Sequence, residues 1–414
     1  MLLSVNWGPG VEPFDPVPSF YGQVDMTHAM PPRSALGLRE RAAIEECIEY
    51  YAQRGEDPGY QGEFEKRYTD AFVRAMGGGY ADAVATGTAA LFIAIRALDL
   101  PPSSEVIVSP ITDPGSISAI VLNGLTPRVA DSAPNSYNID LQCFFDRITP
   151  NTSAVMVVHA CGRAVSDIAS ICRVAHALDI RVIEDCSQAH GATCGGAHVG
   201  TFGDIAAFST MYRKAHMSGG CGGLVYTRNI DLFHQALAHA DRGKPRWLDA
   251  FDDRDPRSFL FPALNLHTDE ISCAIGHASL ARLPETIMRR LAFVSELTGR
   301  LNDKSRICTP YGYSPNDSPF IEPIMVDTLR LWCTKIEFAN ALRAEGIALN
   351  PHYEYLVCDW PWMKKYIDCD TPNARDARDR SFVLYLNENY GTHEVQRIIR
   401  AIERVERAYM RGSA

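Results

Sequence analysis

Apolar positions 38, 42, 43, 44, 47, 48 and 51 recur at helical spacing and predict one amphipathic helix over 36–54. The run Glu56-Asp-Pro-Gly-Tyr-Gln-Gly62 breaks that pattern. A second helix is predicted over 63–76, stopping at Gly77-Gly-Gly79. From Tyr80 the period changes. Short apolar runs at 82–85, 105–109, 128–130, 154–159, 180–184, 204–208 and 223–227 read as strands, with helical stretches at 88–98, 116–123 and 167–178. Such alternation predicts an α/β fold with a mostly parallel sheet covered by helices on both faces. Beyond Asn229, helices are expected at 231–239 and 270–301, with a long irregular loop at 241–265. The remainder mixes a strand at 319–326 with helices at 334–345 and 392–407, as in a smaller α+β domain. The first 35 residues are rich in Pro, Gly and aromatics and read as an extended arm. The expected division is an arm (1–35), a large domain (36–300) and a small domain (301–414).

The chain has 414 residues, of which 46% are apolar and 22% charged, enough to bury a large core. A net charge of −10 speaks against a nucleic-acid binder, because phosphate contacts need clustered cations. No stretch of about 18 apolar residues predicts a membrane span. The N-terminus has no basic start before an apolar stretch, so no secretory signal is read there. The 12 Cys form no CxxC pair and sit mostly in apolar runs. They are expected to be buried free thiols in a reducing, cytoplasmic setting, with neither a disulfide framework nor a metal site. Only Lys66, Lys214, Lys244, Lys304, Lys335, Lys364 and Lys365 are lysines, so any one in a special setting is informative.

Three clusters carry chemistry. In Ala83-Val-Ala-Thr86-Gly87-Thr88 a strand runs into a Gly, then a Thr that can cap a helix. Free N–H groups at such a helix start suit a phosphate, although strand–Gly–helix turns also occur without one. In Ile183-Glu184-Asp185-Cys186-Ser187-Gln188 a carboxylate closes an apolar strand at the sheet edge where open α/β sheets bind ligands. A protonated heterocyclic nitrogen would partner it, and a helix cap would use it equally well. In Ser209-Thr-Met-Tyr212-Arg213-Lys214-Ala-His216-Met-Ser218-Gly219 a lysine enters a Gly-rich turn. It could form a Schiff base if its pKa is lowered, or be an ordinary surface lysine.

Order and spacing join the three: a helix-start cradle, a strand-end Asp about 100 residues on, and a Lys 29 residues after the Asp. With Val157-Val-His-Ala-Cys-Gly162, Val199-Gly-Thr-Phe-Gly-Asp204 and Asn265-Leu-His-Thr-Asp-Glu270, the chain resembles the DegT/DnrJ/StrS aminotransferases. Members of that family act mostly on keto sugars attached to nucleotides. The resemblance implies the aspartate-aminotransferase-like fold (fold type I) and pyridoxal 5'-phosphate as cofactor. Lys214 would carry the cofactor and move the proton, and Asp185 would keep the ring nitrogen protonated. Gln188 would meet the ring hydroxyl, and Gly87, Thr88 and Ser209 would hold the phosphate. Asn265 would reach the phosphate from the other subunit of a homodimer. His352 and Tyr353 resemble the family's His-Tyr near the substrate, and also suit a turn after Pro351. His216 and His267 are further substrate candidates. Three departures mark a divergent branch. Asp113 stands where an aromatic usually stacks on the cofactor, and Gly219-Gly-Cys-Gly-Gly223 has an extra residue and no Glu. His267 replaces an Arg. The expected reaction is amino transfer from glutamate or glutamine to a keto sugar. An elimination enzyme of the same family is the alternative, and Lys214 speaks against it where family dehydratases carry His. A non-catalytic regulatory protein on this fold is the third reading.

Overall fold

The computed structural model describes residues 30–411 except 368; residues 1–29, most of the expected arm, lie outside the described residues. In chain order the elements begin with α1 (Leu38–Ala52), α2 (Glu63–Ala75), β1 (Tyr80–Val84), α3 (Gly87–Ala97), β2 (Glu105–Val108) and α4 (Pro114–Leu122). Next come β3 (Thr126–Val129), α5 (Leu141–Phe145), β4 (Thr152–Val158), α6 (Ile168–Ala177) and β5 (Arg181–Asp185). The hairpin β6 (Thr193–Cys194) and β7 (Ala197–His198) precedes β8 (Ile205–Ser209), β9 (Gly223–Thr227), α7 (Ile230–Ala240) and α8 (Glu270–Lys304). The chain closes with β10 (Cys308–Pro310), β11 (Ile321–Val326), α9 (Lys335–Ala344), β12 (Leu349–Asn350), α10 (Pro372–Arg380), β13 (Ser381–Tyr385) and α11 (Thr392–Tyr409).

Seven strands form one sheet in the order β1-β9-β8-β5-β4-β2-β3. Strands β3, β2, β4, β5 and β8 pair in parallel, and β9 alone is reversed, antiparallel to both β8 and β1. The expected mostly parallel sheet is therefore present. Near-continuous apolar strands such as Ala154–Val158 are buried on both faces, as parallel strands require. The apolar helices α3 and α4 cover one face, and α6 covers the other. A second sheet, β10-β11-β13-β12, is fully antiparallel and packs with α9 and α11 around Phe338, Phe382 and Ile398. Helix α8 runs past residue 300, across the expected domain boundary, and contributes Phe293 and Leu297 to this second core.

One carboxylate organises the start of α2. Gly62, at the cap position, has no side chain to offer, and Glu270 at the head of α8 supplies the acceptor instead. Its oxygens accept Gly62 N and Glu65 N (both 3.0 Å), Phe64 N (2.7 Å) and the Tyr51 hydroxyl (2.7 Å). A Cβ on Gly62 would stand 2.8 Å from Glu270 Oε2, so glycine is needed there. Glu270→Ala leaves these buried donors unpaired and is expected to cost about 3–5 kcal/mol, at about 1–3 kcal/mol per unsatisfied donor. Thermal denaturation would show it as a marked loss of Tm. An unchanged Tm would mean that water replaces the carboxylate.

Two readings are corrected here. Cys358 and Cys369 are joined by a disulfide, while the other ten cysteines are free. The pair lies outside the apolar runs, in an irregular segment of short 3-10 turns that folds back to bring the Cα atoms to 5.6 Å. The helix-capping residue of the first cluster is Thr86, two residues before the expected Thr88: its hydroxyl accepts Ala89 N at 2.9 Å.

Candidate active site

Parallel strands deliver their C-terminal ends to one edge of the sheet, and the site assembles there. Asp185 ends β5 and is buried. Its Oδ2 accepts the Ser116 hydroxyl at 3.0 Å, and its Oδ1 accepts Ser187 N at 3.1 Å. Ser116 is in turn bonded to Thr112 at 2.7 Å. The carboxylate is thus aimed by α4, whose own start is capped by Asp113 through Gly115 N at 2.9 Å. Asp113 therefore has a structural task at the position where an aromatic was expected.

With Ala89 N taken by Thr86, the Gly87 and Thr88 N–H groups have no acceptor among the described residues. Ser209, ending β8, packs directly on this helix start. A Cβ on Gly87 would lie 2.5 Å from Ser209 Cβ, and one on Gly115 would lie 2.4 Å from Thr88 Oγ1. Two glycines let Thr88 and Ser209 pack close to this open helix start. Its donors suit a phosphate at a positive helix end.

Lys214 follows β8 inside a tight loop closed by Thr210 N to Gly222 O (2.9 Å) and Ser218 N to Thr210 O (2.8 Å). Gly222 has φ +148°, and a Cβ there would stand 2.0 Å from Ser218 Oγ, so this turn of the Gly-rich run requires glycine. The Lys214 side chain is buried, with Nζ 4.5 Å from the centre of the Phe320 ring. Burial pushes its pKa down from 10.5 to about 8, against the opposing pull of Asp185 and Asp113. A lower pKa leaves more neutral, nucleophilic amine at neutral pH. The sign gives a test on protein freed of cofactor. Labelling of Lys214 by a small aldehyde and reductant should rise with pH and level off above about 8. A rise that continues toward 10.5 would mean that the amine is not desolvated.

Gln188 Oε1 accepts Cys161 N at 2.7 Å, which leaves its amide nitrogen to donate elsewhere. Tyr353 is buried, lies near Gln188 and stacks on Tyr137 with ring centres 5.9 Å apart. The neighbouring His352 has Nδ1 facing Lys335 Nζ at 3.0 Å. His216 is corrected as a substrate contact. It is wholly buried, Nε2 lies 2.9 Å from the Tyr68 hydroxyl and 3.2 Å from Gly276 O, and its ring stacks on Phe72. Burial lowers its pKa to about 4. Asn265 and His267 line an open pocket with Tyr60, Cys221 and Ser272. Asn265 is exposed, whereas His267 stacks on Tyr60. Burial lowers the His267 pKa to about 4, so it does not restore the missing Arg charge at neutral pH.

The Val-Val-His and Val-Gly-Thr-Phe-Gly motifs serve the frame. His159 Nδ1 accepts Val165 N at 3.0 Å, so Nε2 carries the proton and donates to Glu184 at 3.0 Å. Glu184 also accepts Gly200, Phe202 and Gly203 N–H at 2.7–2.8 Å, and all of it is buried. Sequence reasoning missed Thr86, Ser116 and Phe320. Ser116, two residues past a Pro at a helix start, was the detectable one.

Pyridoxal phosphate fits this donor set: an open helix start packed against Ser209 for the phosphate, a carboxylate for the ring nitrogen, and a desolvated amine.

A model of the DegT/DnrJ/EryC1/StrS aminotransferase family matches residues 44–403. The chain is 38% identical over 216 residues to Protein MosB of Rhizobium meliloti, covering 52% of this chain and 41% of that protein. It is 35% identical over 228 residues to the dTDP-3-amino-3,6-dideoxy-alpha-D-galactopyranose transaminase of Aneurinibacillus thermoaerophilus, covering 55% and 59%. The chain thus spans about half the length of these two relatives. A solved aminotransferase from Psychrobacter cryohalolentis has the same fold, with TM-score 0.82 at 24% identity over 91% of this chain and 99% of that one. With the family match running from α1 to α11, the chain belongs to the DegT/DnrJ/EryC1/StrS aminotransferase family.

Proposed function

We propose that the protein is a pyridoxal phosphate-dependent aminotransferase that moves an amino group from glutamate or glutamine to a nucleotide-linked keto sugar. The observation that carries this reading is the buried Lys214 amine within electrostatic reach of Asp185, on the chain segment that follows Ser209, which packs on a helix start with open N–H groups. When bound, pyridoxal phosphate supplies an electron sink through which an amino group passes from donor to ketone. The Gly87 and Thr88 N–H groups and the Thr88 and Ser209 hydroxyls would hold the phosphate. Asp185, oriented by Ser116 and Ser187 N, holds a proton on the ring nitrogen. Gln188, whose oxygen is taken by Cys161 N, would offer its amide N–H to the ring hydroxyl. Lys214 would hold the cofactor through its amine and, once free, would carry the proton from the donor Cα. A pKa of about 8 lets it take up and release that proton near neutral pH. Burial of the site excludes water that would compete for that proton.

The keto-sugar acceptor is supported by the dTDP-sugar transaminase among the relatives. Glutamate with a panel of nucleotide-linked keto sugars should give aminosugar and 2-oxoglutarate in equal amounts. If the sugar instead loses a hydroxyl and no nitrogen enters it, the elimination reading replaces this one. Ten free cysteines speak for a cytoplasmic location, and the Cys358–Cys369 bond speaks against it. No helix among the described residues is long and apolar enough to cross a membrane.

A homodimer with shared sites completes the reading. Exposed Asn265, outside its own chain's Lys214 cluster, would meet the phosphate held by the neighbouring chain. Mixing inactive Lys214→Ala chains with inactive Asn265→Ala chains should restore partial activity, because one hybrid site is then intact. Subunit exchange with no return of activity would remove the shared-site idea.

A further inference from the structure

We propose that Glu65, Asp82 and His267 form a binding site for one divalent first-row transition ion such as Zn2+, tying α2 and β1 to the segment that carries Asn265. The residues are far apart in sequence, which is why no ligand spacing is visible there. The fold brings them together because residues 266 and 267 add to the edge of β1. Ala85 N donates to Leu266 O at 2.7 Å, and His267 bridges to Val84. Asp82 lies two residues before Val84, on the same face of the strand. Glu65 reaches in from the first turn of α2.

One ligand atom from each residue lies within 4.8 Å of the others. Ligands at the corners of such a triangle stand about 2.8 Å from its centre, so movements of about 0.6 Å each bring them to metal-ligand distance. Asp82 and the His267 side chain are each only 2% exposed. Asp82 Oδ2 and both His267 ring nitrogens have no hydrogen-bond partner. Two unpartnered buried side chains meeting at one spot, Asp82 through Oδ2 and His267 through one ring nitrogen, are uncommon, and each lost hydrogen bond is costly. Glu65 keeps one oxygen for Gln61 N at 2.8 Å and has the other to give.

Charge points the same way. No Lys, Arg or His nitrogen lies within 4.0 Å of a Glu65 or Asp82 oxygen among the described ion pairs. The nearby cations Arg242, Lys244 and Arg246 are engaged by Asp241. Two buried carboxyls side by side cannot both ionise cheaply. Burial pushes Asp82 up to about 7, and burial with the Asp82 charge holds Glu65 well above its ordinary value. A divalent ion would displace the shared proton and neutralise both. Asp241 Oδ2, 3.3 Å from His267 Nε2 but at an angle that makes no hydrogen bond, stands where a carboxylate supports a metal-bound imidazole. The open pocket at His267 gives the ion a path in.

The test uses cofactor-loaded enzyme stripped with a chelator and dialysed. Calorimetric titration with ZnCl2 should show one equivalent bound per chain, with a rise in Tm. Asp82→Asn and His267→Ala should each weaken binding at least about tenfold. Cobalt(II) added to the unaltered enzyme should give visible d–d bands, so the unaltered chain decides the matter even if a variant misfolds. No stoichiometric zinc and no cobalt bands would overturn the proposal. So would one equivalent bound with unchanged affinity in both folded variants.

Discussion

Lys214→Ala is expected to lose about three or more powers of ten in turnover, because proton transfer by a positioned base alone contributes about 10²–10⁴-fold. The side chain has no understudy. Among the described residues, the other buried lysines are Lys244, paired with Asp241, and Lys335, bonded to Pro351 O. The fold should survive, since Lys214 Nζ makes no hydrogen bond and its loop is closed by backbone bonds at Thr210 and Ser218. Borohydride reduction of the unaltered enzyme should place the pyridoxyl label on Lys214, and the variant should take up no label. Added methylamine should recover part of the lost proton transfer. A variant that keeps activity within about tenfold of the parent would mean another group moves the proton.

Asp185→Asn is expected to be nearly as severe, with several powers of ten lost at about 1.4 kcal/mol each. The amide is close in shape to the carboxylate, and its oxygen can still accept Ser187 N or the Ser116 hydroxyl. It has no charge with which to keep a ring nitrogen protonated. The loss should therefore fall on kcat, with the cofactor still bound and Tm little changed. Loss of the fold with no separate effect on kcat would assign the carboxylate a structural task only.

What the sequence made legible follows the physics of each residue. Asp185 and Ser209 end apolar runs buried on both faces, and such runs announce themselves. Lys214 stood out because lysines are rare in this chain and a Gly-rich turn follows it. Thr86 and Thr88 flank the same glycine, and only the backbone at Thr86, extended with φ −156°, settles which one caps the helix. His216 is polar and two residues from Lys214, yet its loop turns it into the core against Tyr68 and Phe72. Helix α10 was not read because its buried face is Ala374, Ala377 and Arg378, which leaves no apolar stripe. The Cys358–Cys369 bond depends on how an irregular loop folds back, a tertiary event without a local signature. Ser116 reaches Asp185 across 69 residues, a pairing that only the sheet order creates.

If Lys214 and Asp185 serve amino transfer, the first half of that reaction can be measured alone. Cofactor-loaded enzyme mixed with L-glutamate, and separately with L-glutamine, in the absence of any ketone should release one equivalent of the matching 2-oxo acid per site and then stop. The nitrogen should stay on the enzyme until a ketone is added. Release of no oxo acid from either donor, or continuous release of ammonia without a ketone, would contradict the account.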